Sequence, residues 1–207
     1  MAGAAVVAAT IYAAAKNKLP VHVVGLIPAT DNRPDGNAYV PGDIITMFDG
    51  TTVEIKNTDA EGRLILADAL SYAKKYNPVL VIDVATLTGS AEIIAGTHAI
   101  VGMSNNSEKL QELKALGEEL NERIIEVPLW EEFGEPLKSA IADLNNLGKR
   151  EGQTSIAGKF LEHFTGYPWV HLDAAGVSFF HEKNSYLPEG GTGFGIRLLF
   201  NFLKKFN

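Results

Sequence analysis

Residues 78–89 read PVLVIDVATLTG. Aliphatic residues fill the run from Val79 to Ala85, with Asp83 the one interruption, and the segment then opens into Thr86, Thr88 and Gly89. A near-continuous apolar run of this length, in place of strict alternation, is the pattern of a strand covered on both faces. Just before it, residues 62–76 are apolar at helical spacing. Just after it, HAIVGMS (98–104) reads as another strand, and SEKLQELKALGEELNERI (107–124) as an amphipathic helix. The order repeats further on: QTSIAGKFLEHFTG (153–166) predicts a helix, PWVHLDAAG (168–176) a strand, and TGFGIRLLFNFLKKF (192–206) a closing helix. Upstream, VHVVGLIPA (21–29) predicts a buried strand and DIITMFDGTTVEI (43–55) a hairpin turning at Asp49-Gly50. Strands alternating with helices predict an α/β fold, a three-layer αβα sandwich around a mixed, mostly parallel sheet.

The 207 residues are 46% hydrophobic and 21% charged, enough chain for one large domain, and no linker or repeat interrupts them. A net charge of −7 without a basic cluster argues against nucleic acid or an anionic membrane surface as partner. The absence of Cys excludes disulfides, thiolate metal sites and a cysteine nucleophile, and is compatible with a cytoplasmic setting. MAGAAVVAATIYAAAKNKLP (1–20) has no positive charge ahead of its apolar run and is too short to span a bilayer. It reads as a buried helix, one that starts at Met1 with no capping residue, as if cut within an element.

VEIKNTDAEGRLILADAL (53–70) places Asp59, Glu61 and Arg63 on one strand-to-helix turn. Two readings stay open. Thr58 and Glu61 fit the Thr-x-x-Glu capping box. Yet three charges exceed what a cap needs, and open α/β sheets bind ligands beyond the carboxyl ends of their strands. Carboxylates there can hold divalent cations, and a neighbouring Arg can steady a developing oxyanion. His171 and Asp173 share a strand face and could be ligands or an acid/base pair, though a hydrogen-bonded core His is the plainer account. Asp83 reads as a satisfied structural carboxylate. GGTGFG (190–195) resembles a phosphate loop but lacks the Gly-x-Gly-x-x-Gly spacing, so close backbone packing is preferred over a nucleotide-binding module. No Gly-x-Ser-x-Gly and no His-Glu-x-x-His occurs.

NTDAEGRL (57–64), with RPDGNAYVPGD (33–43) before it and VIDVATLTG, HLDAAG and GGTGFGIR in order after it, resembles the leucyl (cytosol) aminopeptidase family along essentially the whole chain. The resemblance implies a hexameric, cytoplasmic exopeptidase that uses two divalent ions, zinc or manganese, to remove N-terminal residues from peptides. It implies that Asp59 and Glu61 are metal ligands, Glu61 bridging both ions, and that Arg63 holds a bicarbonate general base. It places Thr86, Leu87 and Gly89 in the loop that holds the substrate, and Ala175 and Ser178 in the pocket for the N-terminal side chain. The family's other ligands, a lysine and two aspartates, and its catalytic lysine fall upstream of the segment matching Met1. The expectation is therefore the C-terminal part of one catalytic domain, inactive alone. The competing expectation is a non-catalytic protein of the same fold acting through oligomer contacts.

Overall fold

Asp49 and Gly50 turn the chain as the sequence predicts. Gly50 adopts φ +95°, a left-handed conformation that suits glycine, and Asp49 Oδ1 accepts a hydrogen bond of 3.0 Å from Thr51 N–H. The turn joins β1 (Ile44–Thr46) to β2 (Thr52–Glu54), antiparallel with Ile45 opposite Val53. The computed structural model describes residues 1–183, 186–187 and 189–206. The chain falls into two compact units, one of residues 28–81 and 128–169, the other of residues 1–27, 82–127 and 170–207.

In the first of these, β6 (Leu144–Asn145) pairs parallel with β2. A 3-10 turn over Thr58–Ala60 leads into α2 (Glu61–Ala73), which tightens into a second 3-10 turn at Lys74–Tyr76. Helix α5 (Gln153–Glu162) packs on α2 and on the 3-10 segment Glu131–Leu137. Leu64, Ala67 and Leu70 of α2 and Ile156, Phe160 and Leu161 of α5 are all buried. Each large apolar side chain buried this way stabilises by roughly 1.5–3 kcal/mol, so these two helices supply much of their unit's core.

In the other unit, β3 (Val81–Ala85), β7 (Trp169–Asp173), β4 (Ile100–Ser104) and β5 (Ile124–Glu126) form a four-stranded sheet in that order. The bonds Val81 N–H to Pro168 O and Ala174 N–H to Ala85 O follow the same order along β3 and β7, so these two run parallel. β7 runs antiparallel to β4, and β4 parallel to β5. Every residue of β7 is buried, whereas β3, the run expected to be covered on both faces, is buried only at Asp83 and Val84. The fold is mixed α/β, and its sheets are mixed with parallel neighbours. Helix α1 (Ala2–Lys16) packs on α6 (Ile196–Lys205), and α6 on α4 (Ser107–Leu120). A short helix, α3 (Gly89–Ala95), follows the loop after β3, and β8 (Phe179–Phe180) pairs with β9 (Gly190–Gly191). At Gly3 a Cβ would lie 1.9 Å from the Val84 carbonyl oxygen, so the start of α1 rests directly on the backbone of β3.

Two expectations change. The helix predicted over 107–124 ends at Leu120, because Asn121 enters the left-handed region (φ +54°) and Glu122 N–H closes back on Gly117 O at 2.8 Å. The Glu122 side chain is then buried and accepts from Leu198 N–H at 2.7 Å and Arg197 Nε at 3.1 Å, placing a carboxylate at the start of α6. Second, residues 21–29 form no strand: among the described residues they enter no sheet ladder. β-branched side chains favour extended backbone but do not supply a neighbour to pair with.

Candidate functional site

The turn carrying Asp59 and Glu61 is held by three asparagines. Asn57, in extended backbone, accepts a hydrogen bond from Asp59 N–H at 3.0 Å and so caps the 3-10 turn. Thr58, the residue the capping-box reading required, does not do this. Asn146, fully buried just beyond β6, accepts from Lys56 N–H at 2.8 Å and Asn57 N–H at 3.2 Å, and donates to Asn57 O at 2.7 Å. Asn32, from the Pro/Gly-rich segment 30–43, donates through Nδ2 to Thr58 O at 3.1 Å and to Glu61 Oε2 at 2.8 Å. The result is an exposed Asp59 and a half-buried Glu61 carboxylate, one of whose oxygens is oriented by Asn32.

A cavity of about 170 Å³ in this unit is lined by Glu61 together with Thr30, Tyr39, Met47, Leu64 and Asp68. Burial pushes the Tyr39 hydroxyl pKa up, and the nearby Glu61 charge pushes it further in the same direction. Arg63 points elsewhere: its side chain is 4% exposed, and its guanidinium carbon lies 6.0 Å from the centre of the Phe160 ring, within cation–π range.

Carboxylate oxygen is suitable donor chemistry for a divalent cation. Among the described residues, however, no group of three or more His, Cys, Asp or Glu converges. Asp59 and Glu61 are thus not part of a converging group of three such donors among the described residues.

The remaining predicted residues lie in the other unit. Thr86 and Gly89 are exposed and Leu87 is half-buried, on the loop between β3 and α3. Ala175 is half-buried just after β7. Ser178 is buried, and its hydroxyl donates to Ala174 O at 2.6 Å. Asp173 draws several of these together. Its Oδ1 accepts from Leu87 N–H at 3.0 Å and Ala175 N–H at 3.3 Å; its Oδ2 accepts from Thr88 N–H at 3.0 Å and Thr88 Oγ1 at 2.8 Å. Beside it, fully buried His171 shares a 2.6 Å hydrogen bond through Nδ1 with Asp83. Burial alone would lower the His171 pKa, but the Asp83 charge and hydrogen bond, helped by Asp173, carry it above its ordinary value. Burial also pushes the Asp173 carboxyl up, against the pull of His171 and its hydrogen-bond donors.

Sequence reasoning missed Asn32, Asn57 and Asn146 as braces. Asn57 alone carried a signal, since an N-cap residue type precedes the turn. Nothing in the sequence marks Asn146.

Residues 1–200 match the family model described as the cytosol aminopeptidase family, catalytic domain. The chain belongs to the cytosol aminopeptidase family. It is 53% identical over 208 residues to a probable cytosol aminopeptidase of Chlorobaculum tepidum, covering 99% of this chain and 41% of that protein. It is 48% identical over 206 residues to one from a Geobacter species, covering 99% of this chain and 42% of the relative. Among solved structures it resembles the bottromycin maturation enzyme BotP, determined also in complex with Mn, with a TM-score of 0.93 and 39% identity over 98% of this chain and 46% of that one. The chain thus spans about two fifths of the length of the cytosol aminopeptidases it matches. Among the described residues, no helix is long and apolar enough to cross a membrane.

Proposed function

We propose that this chain forms the C-terminal part of the catalytic domain of a leucyl-type, two-metal aminopeptidase that removes N-terminal residues from peptides in the cytoplasm. The observation that carries the reading is the carboxylate pair of a family member on a turn fixed by Asn57 and Asn146. Asp59 and Glu61 would supply oxygen ligands to zinc or manganese, with Glu61 shared between two ions and its orientation set by Asn32. When bound, such ions polarise a peptide carbonyl. Arg63, whose planar fork of donors suits a carboxylate-like anion, would hold a bicarbonate. Thr86, Leu87 and Gly89 would hold the peptide, and Ala175 and Ser178 would border its N-terminal side chain. In this reading peptides are the substrates, the complete enzyme is a hexamer, and nucleic acid and membrane play no part.

The 207 residues alone are proposed to be inactive. Two carboxylates offer too few ligands to keep two dications about 3.5–4 Å apart. The second reading, a non-catalytic protein of the same fold acting through oligomer contacts, draws on the same shortage of converging ligands. Calorimetric titration with manganese, beside a leucyl-anilide assay, tests the proposal. The expected outcome is at most one weak site, abolished by Glu61→Gln, and no hydrolysis. Two tight sites with metal-dependent hydrolysis would overturn the claim of inactivity. A weak site that survives Glu61→Gln would overturn the ligand assignment and favour the non-catalytic reading.

A further inference from the structure

We propose that Asp173 is a positioning residue: its carboxylate clasps the Leu87–Thr88 backbone and the Ala175 backbone and thereby sets the shape of the loop over residues 86–89. The functional weight of this inference rests on the aminopeptidase reading, which assigns that loop to the substrate; the clasp itself rests on geometry.

Four donors converge on one carboxylate. Leu87 N–H, Thr88 N–H, Thr88 Oγ1 and Ala175 N–H reach Asp173 at 3.0, 3.0, 2.8 and 3.3 Å. Asp173 is 1% exposed and Thr88 4% exposed, so water is a poor substitute for either partner. The Thr88 hydroxyl does two jobs, donating to Asp173 while accepting from Ala91 N–H at 3.2 Å as the cap of α3. One acidic side chain therefore ties the end of β7 to the start of α3 through the loop between β3 and α3.

The support beneath Asp173 is equally fixed. Asp173 and His171 stand two apart on β7, opposite Val101 and Met103 of β4. His171 is held from the far side by Asp83 of β3 at 2.6 Å. Gly176 completes the packing: a Cβ there would lie 2.1 Å from Gly96 O, so the chain after Ala175 passes in backbone contact with the end of α3. A loop pinned at both ends to buried strands is pre-organised, and pre-organised contacts lose less to ordering when a ligand binds.

Amide hydrogen exchange on the 207-residue chain, followed residue by residue by NMR, reads the clasp without any need for catalysis. In Asp173→Asn one carboxylate oxygen becomes an amide NH₂, which faces two of the four donors and cannot accept from them. Exchange at Leu87 and Thr88 should then accelerate at least tenfold, while amides of α5 keep their rates. A change below twofold at both residues overturns the proposal. Should that variant fail to fold, Thr88→Val and Thr88→Ser take its place. Valine should accelerate exchange at Leu87 and Thr88 several-fold and serine should restore the original rates; indistinguishable rates for the two variants would overturn the hydroxyl's part in the clasp. The link to function is read in an enzyme made by exchanging this chain for the matching segment of the Chlorobaculum tepidum relative. There Asp173→Asn should lower kcat/KM for a leucyl-anilide at least 30-fold with bound manganese unchanged. Manganese lost in step with activity would make the defect a general one and overturn the positioning role. An inactive parent enzyme, with the exchange results intact, would sink the aminopeptidase reading and leave the clasp standing.

Discussion

Replacing Asn146 with alanine should unsettle the carboxylate turn from behind. The side chain is fully buried and makes three hydrogen bonds, two accepted from Lys56 and Asn57 N–H and one donated to Asn57 O. Alanine removes all three and leaves two amide donors and one carbonyl without these partners. The surroundings of these groups are partly buried, so each loss sits near the lower end of the range for an orphaned polar group, about 1 kcal/mol, or roughly 3 kcal/mol together. For a chain of this size a destabilisation of 1 kcal/mol moves Tm by about 2–4 °C, so the expected fall is roughly 6–12 °C. Thermal unfolding followed by far-UV circular dichroism measures it. The turn begins at Asn57, so the same variant should also weaken any divalent ion bound at Asp59 and Glu61. A fall in Tm below about 2 °C would refute the reasoning, because it would mean that water replaces the asparagine at no cost.

Other outcomes follow from the same structure. Arg63→Ala should lower stability by about 1–2 kcal/mol, since it strips a buried cation and its stem from the face of Phe160, yet leave manganese titration unchanged; metal loss equal to that of Glu61→Gln would undo this division of roles. The folded-state pKa of His171 lies above its ordinary 6.5, so its contribution to stability is fully present below pH 6.5 and is lost as pH rises through the folded value. His171→Gln should therefore flatten the decline in Tm above pH 6.5; an unchanged slope would show that another group sets it. Glu122→Ala should destabilise by about 2–3 kcal/mol in urea unfolding, because it leaves Leu198 N–H and Arg197 without their buried carboxylate; a change below 1 kcal/mol would count against that anchor.

Where chemistry follows a repeating pattern, the sequence was a good guide. The apolar run over Val81–Ala85, the Asp49-Gly50 turn and the leucines Leu110, Leu113 and Leu116, three residues apart, each report their own element, because such patterns are local. The carboxylate turn was legible as a cluster of charge, and its family likeness read correctly. What holds it was not. Asn146 lies 89 residues from Asn57 in sequence, and no local period can announce such a partner. Asp173 was visible as a strand residue sharing a face with His171, but three of its four donors come from a loop 85 or more residues away in sequence. Residues 21–29 show the opposite failure: a strand-like composition without a strand, since sheet pairing is a property of neighbours.

That unladdered run has a practical consequence for anyone handling the protein. Among the described residues the backbone between Pro20 and Pro28 makes no ladder bonds, Gly25 leans on Ile11 of α1, and Val24 and Ile27 are exposed. Extended backbone of this kind can offer unpaired N–H and C=O groups to another molecule's chain, as a sheet edge does. The only titratable side chain between the two prolines is that of His22, so charge does little to keep an intruder away. The prolines themselves act as bumpers, each lacking an amide hydrogen, and confine the sticky stretch to the seven residues between them. Concentrated stocks are where that stickiness will show first, as turbidity that a lysine at Val24 would relieve.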